Sequence, residues 1–567
     1  MKGNLKMYNY NKIVYESQDL VRNVDGLTTS DAFEEIIKLL FTKNYCVGDV
    51  LLTPDNMKDI FQTKVYNEYK LFNSDTIKLS NYTILELLEL FKDVDFTSSD
   101  VKGRLFESYL GRVFTSGLGQ FFTPRTVVNF ISDYIDKINN NNNDIKVLDP
   151  ACGSGGLLLT IGKKLKNNLD YYGYDINERL VRVSSMNLLL NGIDNYTIKE
   201  QSFLDADEAE FYDLILTNPP FGVKEKRKDV LDKFKFGKKK KQLDLEVLFI
   251  EKIIQVLKPG GLCGIVLPDG ILNNSSRLDI RNYLLSKTNI LSCIDLPSNV
   301  FKACGTGCES GILFFQKKQP NINKNKNCKL FKVDYIGFET QTKFAKPINK
   351  NDLINIINDT HHNFIELTQD DLKYRFDPKF HIQKKYNKNS KLNYLSKYFS
   401  VKKNIFKIGS SSNSNMIKYI QYSDINTTFG IIKGYEIYDE SDLPSRAKYI
   451  INTGDVLVPL LKQSINKIAI VTPEYDGCVC SNGFAVLKPR DNYSTEFLFT
   501  LFKEKDIKEQ LMNFSSGTIM PSFDVKYFPE LKIRNIFKNE MNIRTDKIRK
   551  SFGYLDEAKK LIDDVLS

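Results

Sequence analysis

The chain has 567 residues, which at about 150 residues per domain allows three or four domains, each with its own core. Hydrophobic residues make up 42% and charged residues 26%, with 80 Lys and Arg against 70 Asp and Glu, a net charge of +10. This balance excludes a wholly disordered chain and an acidic solvating protein, and it permits a negatively charged partner without identifying one.

Residues 1 to about 115 carry helical periodicity, as in Phe33, Ile36, Ile37, Leu40 and Phe41 of SDAFEEIIKLLF, where Ser30 or Asp31 is expected to cap the start. A helical domain is predicted over 1–115. Within it, Pro54-Asp55 followed by Glu68-Tyr69-Lys70 fits the loose PD…ExK string of metal-dependent nucleases. The string is short, TKVYNEYK is a poor buried strand, and a surface turn and helix is the plainer reading. The tract NNNND at 140–144 is a loop. After it come short apolar runs that end in polar or glycine-rich turns: IKVLDPACGSGG, LDYYGYDIN, YDLILTNPPFG and GLCGIVLPDG. Helices are expected between them at 155–166, at 177–191 and in LDLEVLFIEKIIQVLKPGG, so a doubly wound, parallel, Rossmann-like sheet is predicted over 116–335.

A break follows at KKQPNINKNKNC (317–328), and after about 365 the segments become shorter, more β-like and punctuated by glycine and proline. A separate α+β domain is predicted over 365–540. In 541–567, Ile543, Ile548, Phe552, Leu555, Ala558, Ile562 and Val565 recur at near-helical intervals, predicting a terminal amphipathic helix. No apolar run approaches the roughly 18 residues that cross a bilayer, and the start MKGNLKMYNYNK has no signal-peptide segment. A cytoplasmic protein without a membrane partner is expected. The nine cysteines are odd in number and scattered, which argues for reduced thiols, and neither Cys304/Cys308 nor Cys478/Cys480 has zinc-ribbon spacing; the three histidines, His361, His362 and His381, lie elsewhere. No metal site is expected.

Three motifs carry chemistry. Asp149-Pro-Ala-Cys-Gly-Ser-Gly-Gly156 lies between a buried strand and a helix, where glycines let a ligand approach the backbone and helix amides favour anionic oxygens. Asp175 ends the next strand, the position of a carboxylate that binds ribose hydroxyls. Asn218-Pro219-Pro220-Phe221 ends a third strand; prolines lack N–H groups and hold an extended bend, so they fix the Asn amide and leave nearby carbonyls free. The Asn218 side-chain oxygen and the Pro219 carbonyl can each accept a hydrogen bond from an exocyclic N–H₂ group, with Phe221 stacking on the base. Such an arrangement replaces a strong general base by positioning and electrostatics. Directly after it, residues 224–241 hold ten Lys and Arg against three acidic residues, including Lys224, Lys226, Lys239 and Lys240, a candidate phosphate clamp.

GQFFTP (119–124), DPACGSGG, NPPF and GGLCGIVLPDGIL together resemble the N6-adenine DNA methyltransferases of type I restriction-modification systems, over roughly residues 30–335. The resemblance implies S-adenosylmethionine as cofactor, with Phe122, Thr123 and Pro124 bordering its methionine end, Asp149, Ala151, Gly153 and Gly155 lining its pocket and Asp175 holding the ribose. It implies Asn218, Pro219, Pro220 and Phe221 as the catalytic loop acting on a flipped-out adenine of double-stranded DNA, with Phe301 supporting the base. Phe203 matches an aromatic that contacts the cofactor adenine, but Ser202 stands where related enzymes have an acidic residue, and Asp205 is the nearby carboxylate. YRFDPKF (374–380), INTGDVLV (451–458), SNGFAVLKP (481–489) and SSGTIMPSF (515–523) resemble a single target-recognition module of type I specificity subunits, which reads base edges in the major groove. Lys402, Lys403, Lys407, Lys462 and Lys467 are its candidates for phosphate contact.

Other readings are a DNA-binding specificity factor without methyl transfer, a methylase–nuclease fusion, and methylation of protein glutamine amides, which would not need the second module. Partners implied are double-stranded DNA and either a separate restriction subunit or a second copy paired through the terminal helix.

Overall fold

Short polar caps divide the first part of the chain into helices: α1 (Tyr10–Asp25), α2 (Thr29–Tyr45), α3 (Pro54–Ile60) and α4 (Asn81–Leu90). The computed structural model describes residues 10–46, 52–95, 98, 101–102, 105–106, 108–109, 123–140, 143–301, 308–320, 327–340, 346–389, 391–407, 416–518 and 520–566. The cap of α2 is Thr28, two or three residues earlier than expected: its backbone is extended and its hydroxyl accepts from the Asp31 amide at 3.2 Å, which puts Ser30 and Asp31 inside the first turn. Phe33, Ile36, Ile37, Leu40 and Phe41 are buried, as the periodicity requires. Pro54 and Asp55 open α3 and Glu68 lies on the helical turn Tyr66–Tyr69, so these residues do not form the buried strand that the nuclease string needs.

The chain divides into two units, residues 1–271 with 279–373, and residues 272–278 with 374–567. In the first, nine strands form one sheet: β1 (Ile145–Asp149), β2 (Leu169–Asp175), β3 (Tyr196–Glu200), β4 (Tyr212–Thr217), β5 (Leu257–Pro268), β6 (Thr288–Asp295), β7 (Ser310–Lys317), β8 (Cys328–Lys332) and β9 (Phe364–Leu367), in the order β9-β8-β6-β7-β5-β4-β1-β2-β3. From β3 to β5 every pairing is parallel. Four helices accompany these strands: α5 (Arg125–Ile138) before β1, α6 (Gly156–Gly162) after it, α7 (Glu178–Leu190) after β2 and α8 (Leu245–Val256) after β4. The sheet is mixed, not wholly parallel as the sequence suggested. β7 runs antiparallel to β5 and β6 and β9 antiparallel to β8, because β6 and β7 are joined without a crossover helix among the described residues. The core of the helical region includes Leu180, Val183, Met186 and Leu190 of α7, so it continues into the sheet-bearing part.

The second unit is α+β. A six-stranded sheet and a four-stranded sheet accompany α9 (Pro378–Asn389), α10 (Thr495–Lys503), α11 (Lys505–Phe514) and the 29-residue α12 (Lys538–Leu566). Phe497, Leu498, Leu501 and Phe502 of α10 pack with Phe399, Val456, Val458, Leu487 and Phe528. The string YRFDPKF proves architectural. The Arg375 guanidinium meets the Asp377 carboxylate through two bonds of 2.7 Å and donates to the carbonyls of Phe514 and Ser515, with both charged groups buried. Burial opposes ionisation of Asp377, and the adjacent guanidinium outweighs it, holding the carboxyl below the usual carboxylate range.

Removing one partner of such a pair leaves a buried charge uncompensated. Arg375→Ala should therefore destabilise the protein by about 3–5 kcal/mol in urea denaturation; a loss below about 1 kcal/mol, the scale of an exposed pair, would contradict this reading.

Candidate active site

The sheet order reverses between β1 and β4, which pair with each other in parallel, and this opens a crevice at the carboxyl ends of the strands. Asp149 ends β1 there, 2% exposed, and its Oδ1 accepts from the Ala151 amide at 3.1 Å. Burial pushes its carboxyl up to about 7. Asp175 ends β2; its Oδ2 accepts from Gly153 N at 3.1 Å and its Oδ1 from Asn177 N at 2.9 Å. Burial raises this carboxyl too, against the lowering effect of those amides. The turn into α6 depends on Gly153 and Gly155, whose φ values of +51° and +77° lie in the left-handed region. A side chain on Gly153 would enter open space, whereas a Cβ on Gly155 would come within 2.7 Å of Ser184 Oγ on α7. Asn187, also on α7, donates to the Ser154 carbonyl at 2.9 Å and ties the turn to the helix behind it.

Asn218 follows β4. Its Nδ2 donates to Thr123 Oγ1 at 3.0 Å, just ahead of Pro124, the N-cap of α5. Its Oδ1 is buried and has no hydrogen-bond partner among the described residues. Thr123, Asp149, Ala151, Gly153, Ser154 and Asn218 line one cleft, together with the apolar Val128, Leu157 and Leu180. The half-buried Phe221 meets Phe301 edge to face, ring centroids 6.1 Å apart and planes at 80°. Phe301 itself is 1% exposed within the sheet's core. Gly222 turns the chain with φ +71°, and its amide donates to Glu246 Oε1 on α8 at 2.7 Å.

The crevice thus gathers Thr123, Asp149, Ala151, Gly153 and Asn218, with Asp175 bonded to its turn and Pro124 and Gly155 shaping its edges. Phe122 lies outside the described residues. Phe203 is not at the cleft: it is 2% exposed, with Tyr174 and Phe249 at 5.8 and 5.4 Å. Asp205 pairs with Arg227 at 2.8 Å. Lys224, Lys226, Lys239 and Lys240 are exposed. The basic segment that carries them is a folded lobe, with Val230, Leu231 and Phe234 buried and its ends paired as the hairpin Lys224–Glu225 with Leu243–Asp244. Sequence reasoning missed the buried acids that hold this lobe, Glu225, Glu246 and Glu251. Two carboxylates within the apolar helix α8 were the available signal. In the second unit, Lys402 pairs with Asp455 at 2.9 Å and Lys467 donates to the Tyr422 carbonyl at 2.8 Å, so both make internal contacts. Among the described residues no group of three or more His, Cys, Asp or Glu could hold a metal ion, and no helix is long and apolar enough to cross a membrane.

Residues 97–403 match the model of the N-6 DNA Methylase family, more than half of the chain, and the chain belongs to that family. It is 32% identical over 269 residues to the type I restriction enzyme EcoEI methylase subunit of Escherichia coli, covering 43% of this chain and 52% of that one. It is 27% identical over 345 residues to the MjaIX methylase subunit of Methanocaldococcus jannaschii, covering 56% and 59%. The chain thus spans between half and three fifths of these relatives' length. In fold it is similar to the type I methyltransferase subunit of Streptococcus thermophilus (TM-score 0.50, 18% identity, 65% of this chain and 98% of that one). It is also similar to the type IIG restriction endonuclease BpuSI (TM-score 0.53, 13% identity, 96% and 75%).

Gly155 and the next residue, Gly156 at the start of α6, differ in what they tolerate. Gly155→Ala should lower stability by about 1–3 kcal/mol through the left-handed φ and the Ser184 contact. Gly156→Ala, whose nearest non-neighbouring atom is 4.0 Å away, should stay within about 1 kcal/mol of the parent protein. Equal midpoints for the two variants in chemical denaturation would refute this.

Proposed function

We propose that the chain is an S-adenosylmethionine-dependent DNA methyltransferase acting on the N6 amino group of a flipped-out adenine. The observation that carries the reading is the Asn218 amide: its nitrogen is occupied by Thr123, and its buried oxygen has no partner among the described residues beside the glycine turn that Asp149 and Asp175 hold. The residues present fit the cofactor, since two strand-end carboxylates flank a glycine turn whose Gly153 faces open space. Asp149, Ala151 and Gly153 would hold it with Thr123, and Asp175 is the carboxylate for its ribose. When bound, the cofactor supplies an electrophilic methyl group.

The rest of the work falls to the chain itself. Asn218 Oδ1 accepts a hydrogen from the adenine amine, and the Pro219 carbonyl, freed by the N–H-less prolines, accepts the second. Both bonds draw nitrogen electron density out of the ring conjugation and orient the lone pair, so positioning and fixed dipoles lower the barrier. Phe221, propped by Phe301, is the stacking surface for the extruded base, whose removal from the duplex costs about a few kcal/mol that lobe–phosphate contacts offset.

The second unit is read as one target-recognition module, supported by its α+β build and the order of its four motif strings. Pairing of two copies through α12 is the favoured partner reading. Met541, Ile548 and Phe552 are partly buried against the core, while Leu561, Ile562 and Val565 nearer the end are 67%, 59% and 83% exposed. The relatives' names, type I methylase subunits, support action within a restriction-modification system. A factor that binds DNA without methylating it would not require the Asn218 arrangement.

Radiolabelled methyl should pass from S-adenosylmethionine to unmethylated genomic DNA incubated with the protein; binding of DNA without transfer, candidate partner subunits included, would refute the reading. Asn218→Ala should reduce turnover by about 10²–10³-fold while leaving cofactor affinity within a few-fold, checked by transfer kinetics and calorimetry.

A pH dependence follows from Asp149. Its folded value of about 7 means that below neutrality the group is mostly the neutral acid, a weaker acceptor for a bound ligand's donors than the carboxylate. Cofactor affinity should therefore fall as pH drops below about 7, by up to about tenfold per unit, and binding near neutrality should release a proton. Titration calorimetry in buffers of different ionisation enthalpy measures this directly; an affinity flat between about pH 5 and 7 would contradict it.

A further inference from the structure

Helix α8 is apolar along most of its length, yet it carries two acids, Glu246 and Glu251, that are only 4% and 3% exposed. Burying a carboxylate is expensive unless hydrogen bonds compensate. Both meet backbone amides of one segment, the one that begins with the NPPF loop, Glu251 through both oxygens and Glu246 through one. Glu246 Oε1 accepts from Gly222 N at 2.7 Å, the residue immediately after Phe221. Glu251 accepts from two successive amides of the basic lobe, Lys235 N on Oε1 at 2.6 Å and Phe236 N on Oε2 at 3.1 Å. The two prolines of the loop offer no N–H of their own. The Gly222 amide therefore anchors the loop at the point where φ +71° reverses the chain.

We infer that α8 is the template on which the active-site loop and the DNA-facing lobe are set. Glu246 is a positioning residue for Asn218 and Phe221, and Glu251 is a positioning residue for the lobe. Neither touches the reacting atoms. The inference rests on the methyltransferase reading and adds to it a division of labour: Glu246 governs turnover, and Glu251 governs the response to DNA concentration and salt.

The two sites also differ in what an amide can replace. Glu246 accepts the Gly222 N–H on a single oxygen, which glutamine retains. Glu251 uses both oxygens for two N–H donors, and in glutamine one of those positions becomes an N–H₂ facing another donor.

The test compares Glu246→Ala, Glu246→Gln, Glu251→Ala and Glu251→Gln in the full chain. The measurements are methyl transfer to unmethylated genomic DNA over a range of DNA and salt concentrations, and cofactor binding by calorimetry. Glu246→Ala should lose about 100-fold in kcat with DNA half-saturation and cofactor affinity unchanged. Glu246→Gln should stay within about threefold of the parent. Both Glu251 variants should need about tenfold more DNA for half-saturation, more at higher salt, with kcat near the parent value. Parent-level kcat in Glu246→Ala overturns the inference, as do loss of cofactor binding together with kcat, a Gln variant as damaged as Ala at 246, and a fully rescuing Gln at 251. A parent protein that transfers no methyl overturns the functional reading and the inference together, whereas transfer by the parent with any of the contrary patterns overturns the inference alone.

Discussion

The hydrogen bond from Asn218 Nδ2 to Thr123 Oγ1 decides how the crevice can act. An amide has a donating and an accepting end, and with the nitrogen on Thr123 the accepting end faces the cleft. The consequence is a buried carbonyl oxygen without a partner among the described residues, a state that costs about 1–3 kcal/mol. A fold tolerates such a cost where the group is needed for something other than stability. Everything that holds Thr123 therefore bears on Asn218. Thr123 enters α5 through Pro124, whose carbonyl accepts from the amides of Val127 and Val128, and the buried face of α5 (Val127, Ile131, Ile135) packs into the sheet core. The orientation of one amide thus depends on a helix docked on a sheet, not on the loop alone.

Charge is arranged around this point by position rather than amount. The acids at the crevice, the buried Asp149 and the half-buried Asp175, lie at strand ends where backbone amides meet them. The cations lie on the lobe that follows the loop, and that lobe is itself held by acids. Glu225 accepts from the amides of Lys226 and Arg227 and from the Arg227 guanidinium, which also reaches Asp205. Of the ten basic residues in this stretch, Arg227 thus serves the lobe's own architecture, leaving the exposed lysines to act outward. The net +10 of the chain conveys none of this, since 70 acidic residues include those that build the basic surface.

Much of the crevice was legible because glycine and proline leave strong marks in sequence. Gly153 and Gly155 adopt the conformations that the turn requires, and the strand-end residues Asp149, Asp175 and Asn218 fall at one edge because parallel strands share direction. The helical start and the α+β character of the second half were likewise visible in the shift of periodicity. What could not be read were relations between residues far apart in the chain. Nothing local marks Ser184 and Asn187 as the residues behind the turn, or Glu246 as the acceptor for Gly222. The direction of β7 was missed for a related reason: an apolar run signals a strand, but its polarity in the sheet is set by whether a crossover helix precedes it. Phe203 and Phe301 show the limit of motif matching for aromatics, since the same ring that could stack on a base also fills a core, and both rings are buried.

The strings by which the second half resembles a recognition module point the same way. Arg375 and Asp377 form a buried pair, Asp455 receives Lys402, and Phe484 and Leu487 are in the core. These strings describe a scaffold. A surface that reads base edges must instead present exposed, unsatisfied donors and acceptors, and such groups leave no periodic or conformational trace in sequence. Lys402 and Lys467 illustrate the difference: as letters they are cations in a candidate DNA-binding domain, and as side chains they are internal struts. A resemblance carried by buried strings can argue for the architecture of a recognition module while remaining silent about any sequence recognised, and the same logic explains why the crevice, where the turn's scaffold and its candidate chemistry share the same residues, was the more readable of the two.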